Sequence, residues 1–214
     1  VILLGALVLM LPIATASHTW TPFHEALFTS TSAVCVTGLV VQDTGSYWSG
    51  FGQTVILLLI QIGGLGVITA AVTFLMLSGK NISLKERSAM QDAISAPVVG
   101  GIVRLTQFIL KGTFFVELVG ALALLPAFCR DYGLRGVWMA IFHSVSAFCN
   151  AGFDVLADTD VGGSLCRYAT DPVVNFTIMA LIIIGGLGFA VWGDIRHNRR
   201  FSRMSVYTRL VILI

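Results

Sequence analysis

The stretch "FTSTSAVCVTG" at residues 28–38 is written again as "FHSVSAFCNAG" at 142–152. The two align without a gap, pairing Phe28 with Phe142, Ser30 with Ser144, Ser32 with Ser146, Ala33 with Ala147, Cys35 with Cys149 and Gly38 with Gly152. Each follows a short helix-like segment, and each precedes an apolar run that carries "GGLG", at Gly63–Gly66 and at Gly185–Gly188. Taken singly, "VTG" or "NAG" reads as a tight turn in an outer loop. The recurrence of span, short helix, glycine loop and span in one order reads instead as an internal architectural repeat.

Composition supplies the solvent. Of 214 residues, 56% are hydrophobic and only 11% charged, and the mean hydropathy is +0.88. A soluble domain carries about 25% charged residues, so this chain has too little polar surface to face water and is read as a membrane protein. The net charge of +2 says nothing about nucleic acid, no basic run has interleaved aromatics, and no nucleic-acid partner is expected. Cys35, Cys129, Cys149 and Cys166 show no metal-ligand spacing and read as small membrane residues.

Val55–Leu77, Leu105–Phe128 and Val173–Trp192 each supply about 20 residues, enough to cross a bilayer. Val1–Ala16 is apolar but short and lacks the basic start of a signal peptide, so it reads as a helix whose beginning is missing. "YTRLVILI" stops as a new apolar run begins, and the chain is expected to be a piece of a longer protein. Lys80, Lys85 and Arg87 follow the second span, and Arg196, Arg199, Arg200 and Arg203 follow the fourth. Cytoplasmic loops favour Lys and Arg, which places 79–104 and 194–207 inside and 17–50 and 129–172 outside.

Both copies of the repeated stretch therefore lie outside. Thr21-Pro22 reads as a helix start, with Thr as N-cap and Pro at the first helical position. Phe23–Val34 is then about 18 Å of helix, too short to span and suited to a re-entrant segment, with Leu134–Phe148 as its counterpart. Each runs into a glycine-containing loop, "VCVTGLV" or "FCNAGFD". Irregular backbone at membrane depth is tolerated where it is buried in protein or lines a watery cavity. Successive carbonyls of such a strand can replace a cation's hydration shell, and a helix C-terminus aimed at the same place favours a cation. A filter assembled from several copies of one strand explains the repetition.

The residues "TSAVCVTGLVVQDTGSYWSGFGQTVILLLIQIGGLG", with "SLKERSAMQDAIS" and "FHSVSAFCNAGFDVL" after them, closely resemble the membrane subunit of the Trk/Ktr potassium transporters, the superfamily that includes the plant HKT proteins. The resemblance covers nearly the whole chain and is closer to a Ktr-type B subunit than to a Trk-type H subunit. It implies an all-α polytopic protein of helix–pore-loop–helix units with potassium-channel-like architecture, of which two of an expected four are present. By it, 1–78 is the first repeat, 79–104 a cytoplasmic linker, 105–193 the second repeat, 194–207 a second linker, and 208–214 the start of a third repeat.

The resemblance also assigns the filter. Val36, Thr37, Gly38 and Leu39 form the first strand, and Asn150, Ala151, Gly152 and Phe153 the second, each acting mainly through its backbone carbonyl. Both strands depart from the TVGYG of true potassium channels. In the related plant proteins, serine at the first filter glycine goes with sodium transport. The implied activity is non-enzymatic potassium uptake across a bacterial cytoplasmic membrane, with potassium as substrate, sodium as a candidate coupling ion and no covalently bound cofactor. The implied partners are membrane lipid, a cytosolic nucleotide-binding regulatory ring and a second copy in a homodimer. The basic segments "GKNISLKER" and "RHNRRFSR" offer docking points for the ring, although positive-inside topology alone explains their charge. Two other classes stand beside this one: a two-pore-loop cation channel that pairs as a dimer, and a non-conducting membrane scaffold or embedded enzyme, for which no nucleophile–base pair or metal cluster speaks.

Several residues carry two readings. The "GGLG" glycines serve as gating hinges or as small residues that let helices approach, and without a following Lys-Ser/Thr they are no phosphate loop. Glu117, inside the third span, lines the ion path or pairs locally. Asp43, Asp154 and Asp158 concentrate cations at the outer mouth or form a solvated loop face. His24 and His143 read as packing or interfacial residues.

Overall fold

The computed structural model describes residues 1–66, 102–156, 164–198 and 200–213. The inner end of the second span, the linker with Lys80, Lys85 and Arg87, and Asp158, Asp160 and Arg199 lie outside the described residues. Two compact units form, Val1–Gly64 with Val116–Ile183 and Leu65–Phe115 with Ile184–Ile214. The described residues are helical, and their one β-type pairing is an antiparallel bridge between Thr15 and Trp48.

In the first unit, α1 (Ile2–Leu9) ends just before Pro12, which has no N–H to continue the ladder and instead opens a 3-10 turn, Pro12–Ala14. The bridge then ties this end to the entry of the next long helix, through Ser49 N–H to the Ala14 carbonyl and Ala16 N–H to the Tyr47 carbonyl, both 2.9 Å. The short helix α2 (Phe23–Val34) has the expected bounds, but Thr21 is not its cap. Pro22 occupies the N-cap position, and the buried Thr21 hydroxyl pairs with the Tyr47 hydroxyl at 3.2 Å. Helix α3 (Gly50–Leu65) is capped by Ser49, whose Oγ accepts the Gly52 N–H at 3.2 Å.

Helix α4 (Ile102–Tyr132) contains the segment Thr106–Tyr132, which is long and apolar enough to cross a bilayer. Gly133, at φ +58°, turns the chain into α5 (Arg135–Phe148), the second short helix. The segment leading into the next helix is fastened beside that turn. The Asp131 carboxylate accepts the Tyr168 hydroxyl at 2.9 Å and pairs with Arg130 at 3.1 Å and Arg167 at 3.9 Å. Burial, with the Asp131 carboxylate beside it, pushes the Tyr168 phenol above its ordinary range. Asp171 caps α6 (Pro172–Gly186) by accepting the Val173 and Val174 N–H groups, with Pro172 at the first helical position.

The fourth apolar run was expected to be one span over Val173–Trp192. It is broken: α6 ends at Gly186, and α7 (Phe189–His197) starts after Gly188. Gly188 stands at φ +83° and ψ +146°, a combination open in practice to glycine. Gly66, its counterpart in the first "GGLG", stands at φ +84° just after α3 ends. The last glycine of each motif thus marks a helix end.

In the second unit, the Trp192 indole N–H donates to the Ile184 carbonyl at 3.2 Å, and its ring fills the space beside Gly112. The Arg196 guanidinium lies over the Phe108 ring, 4.4 Å from its centre. Asp194 holds the connection to α8 (Val206–Leu213) by accepting the Ser205 N–H and the Asn198 side-chain N–H, both at 2.8 Å. Hydrogen bonds from Thr208, Asn198 and Ser205 hold its carboxyl well below the usual carboxylate range.

Candidate functional site

Both glycine loops lie in the first unit and leave their short helices by the same turn. At the end of α2, Val36 N–H donates to the Ala33 carbonyl at 3.3 Å and Thr37 N–H to the Ser32 carbonyl at 3.0 Å. At the end of α5, Asn150 N–H donates to the Ala147 carbonyl at 3.0 Å and Ala151 N–H to the Ser146 carbonyl at 2.8 Å. This paired pattern is the Schellman helix stop, in which the residue after the C-cap takes a left-handed conformation. Val36 and Asn150 do so, at φ +49° and +57°. Asn tolerates this region, whereas for a β-branched Val it is an outlier.

Two residues later the glycines follow suit, Gly38 at φ +73° and Gly152 at φ +74°. They meet. A Cβ on Gly38 would stand 2.5 Å from the Ala151 carbonyl oxygen and 3.3 Å from the Gly152 Cα, and one on Gly152 would stand 3.6 Å from the Gly38 Cα. The loops approach backbone to backbone, and only the missing side chain at residue 38 permits it. Of the eight residues singled out above, the structure brings Gly38 of one strand against Ala151 and Gly152 of the other.

The serines common to both copies hold each loop in place. Ser32 Oγ pairs with the Thr37 hydroxyl at 2.9 Å, and Ser146 Oγ donates to the Phe153 carbonyl at 2.6 Å. Two residues earlier, Ser30 Oγ donates to the Ile2 carbonyl at 2.8 Å and Ser144 Oγ to the Glu117 carbonyl at 2.6 Å. Each of these serines sits against a glycine of the helix that precedes its short helix, Gly5 of α1 for Ser30 and Gly120 of α4 for Ser144, and each glycine also faces a leucine, Leu59 or Leu181. The duplication thus extends to the packing that seats each short helix.

The remaining candidates resolve into local roles. Asp43 accepts the Ser46 N–H at 2.7 Å, Asp154 accepts the Leu156 N–H at 3.1 Å, and both side chains therefore shape their own loops. His24 is exposed, 3.9 Å from Glu25, whereas His143 is buried and bonds the Met139 carbonyl through Nδ1 at 2.7 Å. Glu117 is buried and accepts a hydrogen bond from Gln61 Nε2 at 2.9 Å. Among the described residues, no group of His, Cys, Asp and Glu could hold a metal ion through side chains.

A family model described as "TrkH: Cation transport protein" matches residues 4–209. The chain belongs to this family. It is 45% identical over 213 residues to the Ktr system potassium uptake protein B of Bacillus subtilis, and 39% identical over 214 residues to the potassium/sodium uptake protein NtpJ of Enterococcus hirae. It is 36% identical over 216 aligned positions to the Ktr system potassium uptake protein B of Vibrio alginolyticus. These alignments cover 99–100% of this chain and 46% of each relative, so the chain spans about half the length of the curated relatives it matches.

Within this TrkH-family chain, sequence reasoning missed two glutamines of α3. Gln53 donates to the carbonyls of Thr44 and Trp48 at 3.2 and 3.1 Å, and its Oε1 accepts the Trp138 indole N–H at 2.8 Å. Gln61 meets Glu117. Two glutamines eight residues apart in an otherwise apolar run share one helix face, and that spacing was the available signal.

Proposed function

We propose that this chain supplies two of the filter-forming repeats of a bacterial potassium uptake transporter of the cytoplasmic membrane. The ion is held by backbone carbonyls of Val36–Leu39 and Asn150–Phe153. The observation that carries this reading is the meeting of two equivalent glycine turns, backbone to backbone, at the ends of two short helices. A carbonyl-lined site needs strands whose side chains stay off the axis. Gly38 and Gly152 meet that need, and the C-terminal ends of α2 and α5 lead directly into these loops, adding a partial negative charge that favours a cation.

In this reading the repeats lie at 1–78 and 105–193, joined and followed by cytoplasmic linkers, with a third repeat beginning at 208. Two relatives are named for potassium and a third for potassium and sodium, which makes sodium the competing or coupled ion. Relatives named as members of a Ktr system support a partner subunit, read here as a cytosolic nucleotide-binding ring acting on a homodimer of the full-length protein. The test is rubidium uptake into proteoliposomes that contain the full-length protein. Uptake that potassium competes away is expected; no flux above empty liposomes, with or without the ring, would reduce the protein to a scaffold.

A further inference from the structure

We infer that α3, the inner helix of the first repeat, positions the filter strand of the second repeat through Gln61 and Gly64. The inference rests on the pore reading above and adds to it the residues that set one strand's place.

Beyond Thr54, whose hydroxyl bonds back to the Gly50 carbonyl, helix α3 is apolar apart from a narrow stripe. Gln53, Gln61 and Gly64 are eight and three residues apart, which puts them on one face of a helix with 3.6 residues per turn. Each meets the second repeat. Gln53 accepts from Trp138 of α5, and Gln61 donates to Glu117 of α4. Gly64 lies against Cys149, where a Cβ would stand 2.7 Å from the Cys149 Cβ and 3.3 Å from its Cα. The neighbouring Gly63 faces the other way, toward its own repeat, and a Cβ there would stand 3.1 Å from the Val34 Cα.

The consequence follows from where Cys149 sits. It is the C-cap of α5, and the next residue, Asn150, begins the second strand. Asn150 and Gly152 both stand at positive φ, so the strand has few neighbouring conformations into which to shift. A methyl group on residue 64 must move Cys149, and the movement passes straight into Asn150–Phe153. Gln61 reaches the same strand by a second route, through α4 and α5. It holds Glu117, whose backbone carbonyl accepts the Ser144 hydroxyl of α5. In hydrocarbon, close approach at small residues and hydrogen bonds between helices are what hold helices together, and this junction uses both.

The latch belongs to this junction. The residue that matches Gln61 in the second repeat is Ile183, and the residue whose carbonyl takes the place of Glu117's in the first, accepting from Ser30 as Glu117 does from Ser144, is Ile2. A contact that merely packed two helices would alter the amount of folded protein and the maximal uptake rate. A contact that sets the strand alters potassium affinity and the choice between ions.

The experiment uses the full-length protein in a potassium-uptake-deficient bacterium, with potassium half-saturation and the rubidium-to-sodium uptake ratio measured at matched membrane expression. Gly64→Ala is expected to raise the half-saturation concentration about tenfold, which is about 1.4 kcal/mol of binding, while the maximal rate changes by less than about threefold. Adding Cys149→Gly to Gly64→Ala removes the clashing atoms and is expected to recover most of that loss, with Cys149→Gly alone closing the cycle. Gln61→Leu, which leaves Glu117 unpaired, is expected to shift the same two quantities. Glu117→Gln, which keeps the acceptor for Gln61, is expected to shift them less. Wild-type values in Gly64→Ala, or no recovery in the double variant, would overturn the inference. If Gly64→Ala fails to reach the membrane, equal values for Gln61→Leu and Glu117→Gln would do so. Gly38→Ser, run in parallel, separates the two levels: if it alone shifts the ratio, the latch is wrong and the pore stands, and if neither shifts it, the pore reading fails as well.

Discussion

The two glycine loops share a backbone and differ in what fastens it. In the first, the serine of the short helix reaches a side chain, the Thr37 hydroxyl, and Thr37 itself is exposed. In the second, the equivalent serine reaches the Phe153 carbonyl, between buried Ala151 and buried Val155. The left-handed position is filled by Val36 in one and Asn150 in the other. The first loop thus pays a backbone strain that the second avoids, while the second locks a main-chain group that the first leaves untouched. Identical main-chain geometry reached by different side-chain means argues that the geometry is what both copies are built to hold.

The largest expected difference lies in the serines. Ser146→Ala leaves the buried Phe153 carbonyl without its donor and is expected to destabilise the full-length protein by about 1–3 kcal/mol, the cost of an unsatisfied buried group. Ser32→Ala frees an exposed hydroxyl that water can satisfy, and about 0.5–1.5 kcal/mol is expected. Thermal unfolding in detergent ranks the two, and equal losses would remove the asymmetry. A smaller effect, of opposite sign in the two loops, is expected from exchanging the left-handed residues. Val36→Asn should stabilise and Asn150→Val destabilise, each by about 1–2 kcal/mol, the penalty of a left-handed conformation for a residue with a bulky Cβ. The same unfolding measurement checks it, and a loss of stability in Val36→Asn would show that the Val36 side chain contributes more packing than its backbone costs.

These differences bear on how far the sequence could be read. The repeated stretch, with its shared serines and glycines, marks both loops and the two short helices, because the equivalent residues perform equivalent packing: Ser30 against Gly5 and Ser144 against Gly120. The bounds of α2 were legible from Pro22 and the length of the apolar segment. The role of Thr21 was not, since a capping threonine and one bonded to a distant tyrosine look alike until Tyr47 is brought to it. The break at Gly188 was hidden in a run whose hydropathy is continuous; hydropathy reports the solvent around a segment and is blind to a glycine's φ. Glu117 stood out by its charge, whereas its partner Gln61 did not, because a single amide in an apolar helix becomes meaningful once the opposite helix is known.

The central claim is that Gly38 and Gly152 keep side chains out of an ion-coordinating strand pair. Its most direct test is the potassium-to-sodium uptake ratio of the full-length protein carrying Gly38→Ser or Gly152→Ser, with Gly50→Ser as a control at a glycine that has open space around it. A serine at residue 38 meets the Ala151 carbonyl and an unfavourable φ, and one at residue 152 meets the same φ without that contact. Both are expected to lower the ratio while expression persists, Gly38→Ser the more strongly, and Gly50→Ser is expected to leave it unchanged. Wild-type ratios in both filter variants, at wild-type expression, would mean that these glycines only form turns, and the ion-coordinating role would have to be abandoned.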